Sequence, residues 1–464
     1  MNHPLDRLFQ PESVALIGAS ASPEKMSNVA LRSLSRGEFR LYPVNPKEKE
    51  ILGLRCYASV TELPESVDLA VISLPAALSV EAVKDCAQKG VGFVVVTSSG
   101  FKETGPEGAA LEGRLLDAIR GSRTRMLGPN TMGVLVPSHK LDTLFIPAEK
   151  SMRPGPGPVA MVSQSGAVSV AFLERAESSG LGISVCVGIG NKGDLAENEL
   201  IDYLAQDDDT RCISLYLESF VNGREFTRVA GEVTKKKPVV LLKSGRTPAG
   251  SLAASSHTGA IATSSDHLVD GALRQAGVVR VYDEEELLDV SKALAYIDHI
   301  EGDRICVVAS AGGFGVIATD YVASKEHGAG LRMASLSEST KTELREVVPV
   351  FSSVRNPVDL TAGVTDDMYG AVIDILRRDP GIDGIMMSLE LQPPNVSEKL
   401  VEVAAKTRTS KGAPVVVSAF GGGKTSELLS SLEKLEIPAY PTIWRAVRAL
   451  KALSERGAYL SRMK

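Results

Sequence analysis

The residue whose surroundings most favour chemistry is His257, one of six histidines. It lies in Gly250-SLAASSHTGAIATSSD, a run of small and hydroxyl residues with little apolar bulk to hold it in a core. This composition predicts a mobile loop. Because a neutral imidazole is a nucleophile toward phosphoryl groups and a good leaving group, a histidine on such a loop can carry phosphate between two sites. A solvated histidine without a chemical role fits the same composition.

A phosphate-carrying histidine needs a carboxylate that holds its second ring nitrogen and stabilises the charge on the ring. Glu218 is the strongest candidate because it directly follows the apolar run 213–217, which predicts a buried strand. Asp194 and Glu199, after a glycine-rich turn, are weaker candidates. A surface acid at a strand end is the alternative interpretation of Glu218.

Two similar turns could hold the phosphate. Val159-AMVSQSGAVSV and Ile305-CVVASAGGFGV each predict a buried strand, a turn of small residues and a helix start. The free N–H groups at a helix N-terminus attract anions, and Ser165-Gly166 and Gly312-Gly313 let the backbone approach a phosphate. Each turn alone also fits ordinary strand–helix packing.

The turn after the first predicted strand, Gly18-ASASPEK, lies where a dinucleotide fingerprint would begin, but it lacks the second and third glycines. An NAD site also needs an acid at the end of the second strand, and that place reads Tyr42-PVNPK. Coenzyme A (CoA) carries a phosphate on its ribose, which an acid would repel and which Lys25, Lys47 and the serine hydroxyls of the turn would favour. The sequence therefore favours CoA over NAD.

The elements that position these residues alternate between short apolar runs and helix-compatible stretches. Strands are predicted at 13–18, 41–44, 69–72, 93–96, 159–162, 184–188, 213–217, 239–242, 305–308, 385–389 and 415–418, and helices at 28–34, 79–88 and 443–455. Such alternation predicts parallel, doubly wound sheets that bind ligands at their carboxyl edge. The polar turns Ser73-LP and Ser98-SGF lie at that edge and favour a nucleotide-like ligand.

Composition excludes several classes of protein. A chain of 464 residues, 44% hydrophobic and 23% charged, is typical of a globular enzyme with two to four domains. The net charge of -6 argues against a nucleic-acid partner. Five cysteines without a CxxC pair predict buried thiols in a reducing compartment. Without an apolar run of membrane-spanning length or a signal peptide, we expect a cytoplasmic location and no membrane partner.

An ordered series of motifs resembles the family of succinyl-CoA synthetase and the ADP-forming (NDP-forming) acyl-CoA synthetases, including the α subunit of ADP-forming acetyl-CoA synthetase. The motifs are Val14-ALIGASASPEK, Pro43-VNP, Ser98-SGF, Gly128-PNTMG, Ser163-QSGA, Gly188-IGNKGDL, Leu217-ES, Leu242-KSGRTPAG, Ser256-HTGA and Asn356-PVDLT. The resemblance covers essentially the whole chain. It implies a Rossmann-like CoA-binding domain at 1–127, a flavodoxin-like ligase domain with the phosphohistidine at 128–300, and a second flavodoxin-like domain at 301–464.

The resemblance also implies roles for individual residues. His257 would be phosphorylated, Glu218 would stabilise the phosphohistidine, and Asn191 would lie near the thioester carbonyl. The implied phosphate ligands are Ser163, Gln164, Ser165, Gly166, Ala311, Gly312 and Gly313. The implied CoA ligands are Gly18, Ser20, Ser22, Lys25, Pro43, Asn45, Ser73, Pro75 and Ser98.

The implied reaction converts acyl-CoA, ADP and phosphate into an acid, ATP and CoA through an acyl phosphate. The family also uses an ATP-grasp unit, and no segment here matches one. We therefore expect an ATP-grasp β subunit in an α2β2 assembly, which binds most of the ADP or ATP with Mg²⁺. The sequence shows no metal-ligand cluster of its own.

Three alternatives compete with this interpretation. A non-catalytic CoA-binding or CoA-sensing module predicts the loss of His257 or Glu218, and both are present. An NAD-dependent dehydrogenase predicts the glycine fingerprint and ribose-binding acid that are missing. A fused acyltransferase would need a further domain beyond Lys464.

Overall fold

The computed structural model describes residues 3–258, 265–409 and 411–463, and the side chains of residues 255–258 and 409 lie outside that description. The chain divides into two units, one of residues 1–177 and 182–284 and the other of residues 178–181 and 285–464. The first unit contains two large sheets and the second contains one. The predicted α/β class with parallel sheets is confirmed.

The N-terminal part of the first unit is a five-stranded parallel sheet between helices. Its elements are α1 (Asp6–Phe9), β1 (Ser13–Ile17), α2 (Met26–Leu34), β2 (Arg40–Val44), β3 (Glu50–Ile51), β4 (Leu54–Arg55), β5 (Leu69–Ile72), α3 (Ala76–Lys89), β6 (Phe93–Val96), α4 (Pro106–Ile119) and β7 (Arg125–Leu127). The strand order is β2-β1-β5-β6-β7, so the chain reverses direction across the sheet between β1 and β5. Nucleotide-like ligands bind at such a reversal in open α/β sheets.

The rest of the first unit is built on a seven-stranded sheet. Its elements are β8 (Val134–Val136), β9 (Leu141–Asp142), β10 (Pro156–Ser163), α5 (Gly166–Ser179), β11 (Ile183–Gly188), α6 (Glu197–Leu204), β12 (Cys212–Leu217), α7 (Gly223–Val233), β13 (Val239–Lys243), α8 (Pro248–Thr258), α9 (Asp266–Gln275) and β14 (Val279–Val281). The five parallel strands follow the order β14-β13-β12-β10-β11, with β8 and β9 antiparallel at one edge. This is the flavodoxin order, and its reversal point lies between β10 and β12.

One hydrophobic core connects the two sheets of the first unit. It contains Val14 and Leu16 of β1 together with Val162 of β10 and Leu215 of β12, all fully buried. Alternate residues of β1, Ala15 and Ile17, face a second core on the other side of the sheet. Because apolar residues cover both faces of the strand, the sequence shows a continuous apolar run instead of an alternation.

The second unit repeats the flavodoxin order. Its elements are α10 (Glu284–Ile297), β15 (Arg304–Ala309), α11 (Gly312–Ala323), β16 (Arg332–Met333), α12 (Glu338–Val347), β17 (Val358–Asp359), α13 (Asp366–Arg377), β18 (Gly384–Ser388), α14 (Leu400–Thr409), β19 (Val415–Ser418), α15 (Gly423–Lys434), β20 (Ala439–Tyr440) and α16 (Ile443–Met463). The order β16-β15-β18-β19-β20 reverses between β15 and β18. The two turns that look alike in sequence thus follow the equivalent strands, β10 and β15, of two similar sheets.

The predicted loop around His257 was wrong for its first part, because residues up to 258 form helix α8. The residues at the N-terminus of the helix explain why it forms. Thr247 Oγ1 accepts a hydrogen bond from Gly250 N–H at 3.0 Å, which caps the N-terminus, and Pro248 suits the first helical position. Residues 259–264 lie outside the described residues, as does the side chain of His257.

Candidate functional site

The turn after β1 is fixed against the ends of two neighbouring strands. Gly18 has φ of +88°, and a side chain there would meet the carbonyl oxygen of Ser73 at 2.4 Å, so glycine is required. The N–H groups of Gly18 and Ala19 both donate to Val44 O, at 3.0 and 3.2 Å. Asn45 Nδ2 donates to Ala19 O at 2.7 Å. The ends of β1, β2 and β5 therefore form one connected edge at the reversal point.

Several predicted CoA ligands form hydrogen bonds within this edge of the sheet. Ser20 Oγ accepts from Ser22 N–H at 3.2 Å, and Ser98 Oγ donates to the carbonyl of Leu74. Lys25 and Pro75 are exposed and immediately precede α2 and α3. The structure thus brings the predicted CoA ligands to one sheet edge, where some side chains shape the turns and others face solvent.

Asn191, predicted near the acyl group, is buried in a charged cluster. Its Nδ2 donates to Glu103 Oε2 at 2.6 Å and to Glu112 Oε2 at 2.8 Å. Lys102 donates to the Asn191 carbonyl and pairs with Glu112 at 3.2 Å. Burial opposes ionisation of Glu103, but hydrogen bonds from Asn191 and three backbone N–H groups outweigh it and hold the pKa of Glu103 below its usual value. Sequence reasoning missed these three charged residues, because nothing local connects them to Asn191.

The two weaker candidates for the histidine's carboxylate are engaged elsewhere. Asp194 and Glu199 both bind Arg125, at 2.9 and 3.0 Å. Asp194 Oδ2 also accepts from the backbone N–H of Met126 at 2.8 Å. These bonds connect β7 to the segment after β11, so both carboxylates serve the packing of the two sheets.

The first predicted phosphate turn, residues 163–166, lies at the reversal point of the seven-stranded sheet. Ser163 Oγ accepts from Ser165 N–H at 3.2 Å, which closes the turn. Ser165 Oγ accepts from Val168 N–H at 3.4 Å at the start of α5, and Gly166 begins that helix. The turn therefore presents the N-terminus of a 14-residue helix, where backbone N–H groups and the helix dipole favour an anion.

Gln164 connects this turn to Glu218. Strands β10 and β12 are neighbours, with Ser163 opposite Tyr216. Gln164 Oε1 accepts from the N–H of Glu218 at 2.9 Å and from that of Ser219 at 3.2 Å. Glu218 is only 6% exposed. The turn and Glu218, selected separately in the sequence, are thus joined by a hydrogen bond to the Glu218 backbone.

Two buried lysines hold the same dipeptide from its carbonyl side. Lys243 Nζ donates to Glu218 O at 2.7 Å, and Lys192 Nζ donates to Ser219 O at 2.7 Å. Lys192 also pairs with the buried Glu197 at 3.2 Å. Burial lowers the pKa of Lys192, although Glu197 opposes the shift, and burial lowers that of Lys243 to about 8. Sequence reasoning missed both lysines, although a lysine ending the apolar run 239–242 was a usable signal.

Helix α8 starts beside this dipeptide. Ser251 Oγ donates to Gly245 O at 2.9 Å, and both residues line a cavity of about 380 Å³ that also contains Glu218 and Lys243. His257 is six residues further along α8, about 9 Å at 1.5 Å per residue. The base of the helix that carries the histidine is therefore next to the predicted carboxylate.

The second unit has an equivalent turn and a buried carboxylate. Ala311 precedes α11, and Gly312 and Gly313 are exposed in its first turn. Glu390 follows β18 and accepts from Ser310 N–H at 3.1 Å and from Ser388 Oγ at 2.7 Å. The carboxylate of Glu390 therefore stabilises the turn by direct bonds.

The remaining observations concern cysteines, metal ligands and membrane-spanning helices. All five cysteines are free and buried, as predicted. Within residues 3–258, 265–409 and 411–463, no group of three or more histidine, cysteine or acidic side chains is arranged to hold a metal ion. In the same ranges, no helix combines the length and the apolar character needed to cross a membrane.

Three family models match the chain in succession. Residues 12–137 match a CoA binding domain, residues 156–294 match a succinyl-CoA ligase like flavodoxin domain, and residues 305–458 match a ligase-CoA domain. The chain is 38% identical to the α subunit of ADP-forming acetate–CoA ligase I of Pyrococcus furiosus, over 97% of each chain. The chain belongs to the ADP-forming acyl-CoA synthetase family.

Other members of this synthetase family extend the comparison. ADP-forming acetate–CoA ligase I of Archaeoglobus fulgidus is 36% identical over 98% of this chain, which spans 64% of that relative. The ADP-forming 4-hydroxybutyrate–CoA ligase of Nitrosopumilus maritimus is 32% identical over 96% of this chain and 63% of its own length. Acetyl-coenzyme A synthetase 1 of Candidatus Korarchaeum cryptofilum, solved with phosphate and ADP, is 35% identical, covers 99% of this chain and 98% of its own, and superposes with a TM-score of 0.90. The synthetase fold, with a CoA-binding domain and ligase-like flavodoxin domains, is thus shown.

Proposed function

We propose that this acyl-CoA synthetase chain is an α subunit that passes phosphate from an acyl-CoA to ADP through a phosphohistidine at His257. The observation that carries the proposal is the contact between Gln164 and the backbone of Glu218. It joins the predicted phosphate turn to the residue that carries a buried carboxylate, beside the base of the helix on which His257 lies. A turn for phosphate and a carboxylate for the imidazole are the two partners that a phosphohistidine requires.

The first step makes an acyl phosphate. A phosphate oxygen attacks the thioester carbonyl carbon, the C–S bond breaks, and CoA leaves as its thiolate. The CoA-binding turns at Gly18, Ser73 and Ser98 would hold the coenzyme, and Asn191 would lie beside the acyl group. In the second step an imidazole nitrogen of His257 attacks the phosphorus and the free acid leaves as a carboxylate. Glu218 would stabilise the positive ring, and the turn at 163–166 would hold the phosphate.

The final step needs a second polypeptide. An oxygen of the ADP terminal phosphate attacks the phosphohistidine to give ATP and regenerate the imidazole. Relatives that match this chain over nearly their full length are named as α subunits, whereas the chain spans about two thirds of relatives named without a subunit. We assign the nucleotide and its Mg²⁺ mainly to an ATP-grasp β subunit in an α2β2 assembly. Five buried thiols agree with a cytoplasmic enzyme.

We propose acetate as the acid. The relatives from Pyrococcus furiosus and Archaeoglobus fulgidus are named acetate–CoA ligases and are more similar to this chain than the 4-hydroxybutyrate enzyme. Comparing kcat/KM for acetyl-CoA with that for a larger acyl-CoA tests this choice. A higher kcat/KM for the larger substrate would contradict it.

The phosphohistidine itself is tested by mass spectrometry of the chain after incubation with acetyl-CoA and inorganic phosphate, alone and with its partner. The proposal predicts an acid-labile phosphate on the peptide that contains His257. His257→Ala removes it, whereas the matched variant His267→Ala, at an exposed histidine of α9, retains it. If His257 stays unmodified with the partner, ATP and Mg²⁺ present, the chain is a CoA-binding module without this chemistry.

A further inference from the structure

The backbone of Glu218 and Ser219 is held by four hydrogen bonds from three separate segments. Gln164, from the turn after β10, accepts both N–H groups. Lys243, at the end of β13, and Lys192, after β11, each donate to one carbonyl at 2.7 Å. Every main-chain polar group of this dipeptide thus has a partner, so its backbone is fixed in place.

The two lysines differ in how their charge is balanced. Lys192 forms an ion pair with Glu197, whose side chain is fully buried. Lys243 is 7% exposed, and no carboxylate of the described residues lies within ion-pairing distance of its Nζ. A buried ammonium without a paired carboxylate costs folding free energy, so its retention at a cavity is typical of a functional site.

We infer that Lys243 is a positioning residue for phosphoryl transfer, because its ammonium group fixes the backbone that carries the Glu218 carboxylate. This inference rests on the proposed roles of Glu218 and His257. Strand register supports it, since Lys243 pairs with Leu217 and therefore lies directly beside the residue that follows. Lys243 and Glu218 also line the same cavity of about 380 Å³.

The protonation of Lys243 provides a readout that a purely structural lysine would not share. Burial lowers its pKa to about 8, with Arg280 and Lys192 adding to the shift and Asp266 and Glu218 opposing it. Asp266 is itself paired with Arg280. As the pH rises through about 8, Lys243 loses its charge and holds the Glu218 carbonyl less strongly.

The test measures single-turnover labelling of His257 from acetyl-CoA and radioactive inorganic phosphate, in the complete complex, across the range around pH 8. Lys243→Met should slow labelling on the order of 10–100-fold, the usual cost of misplacing a reacting group. Lys243→Arg retains a permanent charge, so it should move the alkaline decline in rate to higher pH. The matched control is Lys237→Met, because Lys237 also donates to two backbone carbonyls but precedes β13 at its opposite end.

The outcomes distinguish a failure of the proposed phosphohistidine at His257 from a failure of the inference about Lys243. If wild-type His257 is never labelled, the proposed function fails and this inference fails with it. If wild type is labelled and Lys243→Met matches its rate and pH profile, only the inference about Lys243 is wrong. Should Lys243→Met not fold, as judged by its melting curve and CoA binding, an unshifted pH profile of Lys243→Arg would overturn the inference. Equal slowing by Lys237→Met would overturn it as well.

Discussion

Replacing Gln164 by leucine tests whether one amide fixes the candidate site. The wild-type Oε1 accepts two backbone N–H groups, from Glu218 at 2.9 Å and from Ser219 at 3.2 Å. Leucine has a similar size but no acceptor, so both donors would lose their partner. Because Gln164 is 7% exposed, water has little access to replace it.

The expected loss of stability follows from the burial of the two donors. The bond to Glu218 is buried, and leaving its donor unsatisfied costs about 1–3 kcal/mol. The bond to Ser219 is partly buried, so its donor recovers some hydration and costs about 1 kcal/mol. The sum of about 2–4 kcal/mol should lower the melting temperature of the first unit by about 3–7 °C.

The assay is thermal unfolding of Gln164→Leu beside Gln164→Glu. Glutamate retains an acceptor for both N–H groups, so its melting temperature should remain near that of wild type. It adds a negative charge to the predicted phosphate turn, however, and should slow the labelling of His257. Unchanged melting of Gln164→Leu would refute the role given to this side chain in the structure.

Two further substitutions test other parts of the chain. Gly18→Ala places a methyl group 2.4 Å from the carbonyl of Ser73 at φ of +88°, and the strain of about 1–3 kcal/mol should weaken CoA binding about tenfold in a calorimetric titration. An unchanged Kd would show that this turn is not part of the CoA site. In the second unit, Lys292→Met leaves Glu433 buried without its 2.6 Å partner and should cost about 3–5 kcal/mol in denaturant unfolding. The double variant Lys292→Met/Glu433→Leu should recover most of that loss, and an equal loss in the double variant would contradict this explanation.

Several strands could be predicted because a short apolar run in the sequence marks each one. The runs 69–72, 93–96 and 415–418 have the same bounds in prediction and structure. Each is a mainly aliphatic run bounded by turn residues, with Phe93 starting one run and Ser418 ending another, and burial on both faces keeps the run continuous. The carboxyl edges of these strands, and therefore the places of the predicted turns, follow from the same signal.

Helix α8 was missed because its sequence has no apolar stripe to indicate a helix. Its stability depends on the cap formed by Thr247 and on the bond between Ser251 and Gly245, both of which are visible only in three dimensions. The N-terminal Pro248 was the signal that could have corrected the prediction. A run of small residues is compatible with a helix when its ends are fixed in this way.

The contacts around Glu218 were beyond sequence reasoning for a topological reason. Gln164 is 54 residues from Glu218 in the chain, and the two meet because β10 and β12 are neighbours in the sheet. Strand order cannot be read from the local pattern that identifies the strands. The same limit applies to Lys102, Glu103 and Asn191, whose cluster joins segments of the two sheets.

The central claim is that phosphate on His257 is an intermediate on the path to ATP. Its most direct test is a chase experiment. The chain is labelled with radioactive phosphate at His257, separated from acetyl-CoA and free phosphate, and mixed in a rapid-quench apparatus with ADP, Mg²⁺ and its β subunit. The account predicts that the label leaves His257 and appears in ATP at least as fast as kcat. Label that stays on His257 while the complex turns over would contradict it.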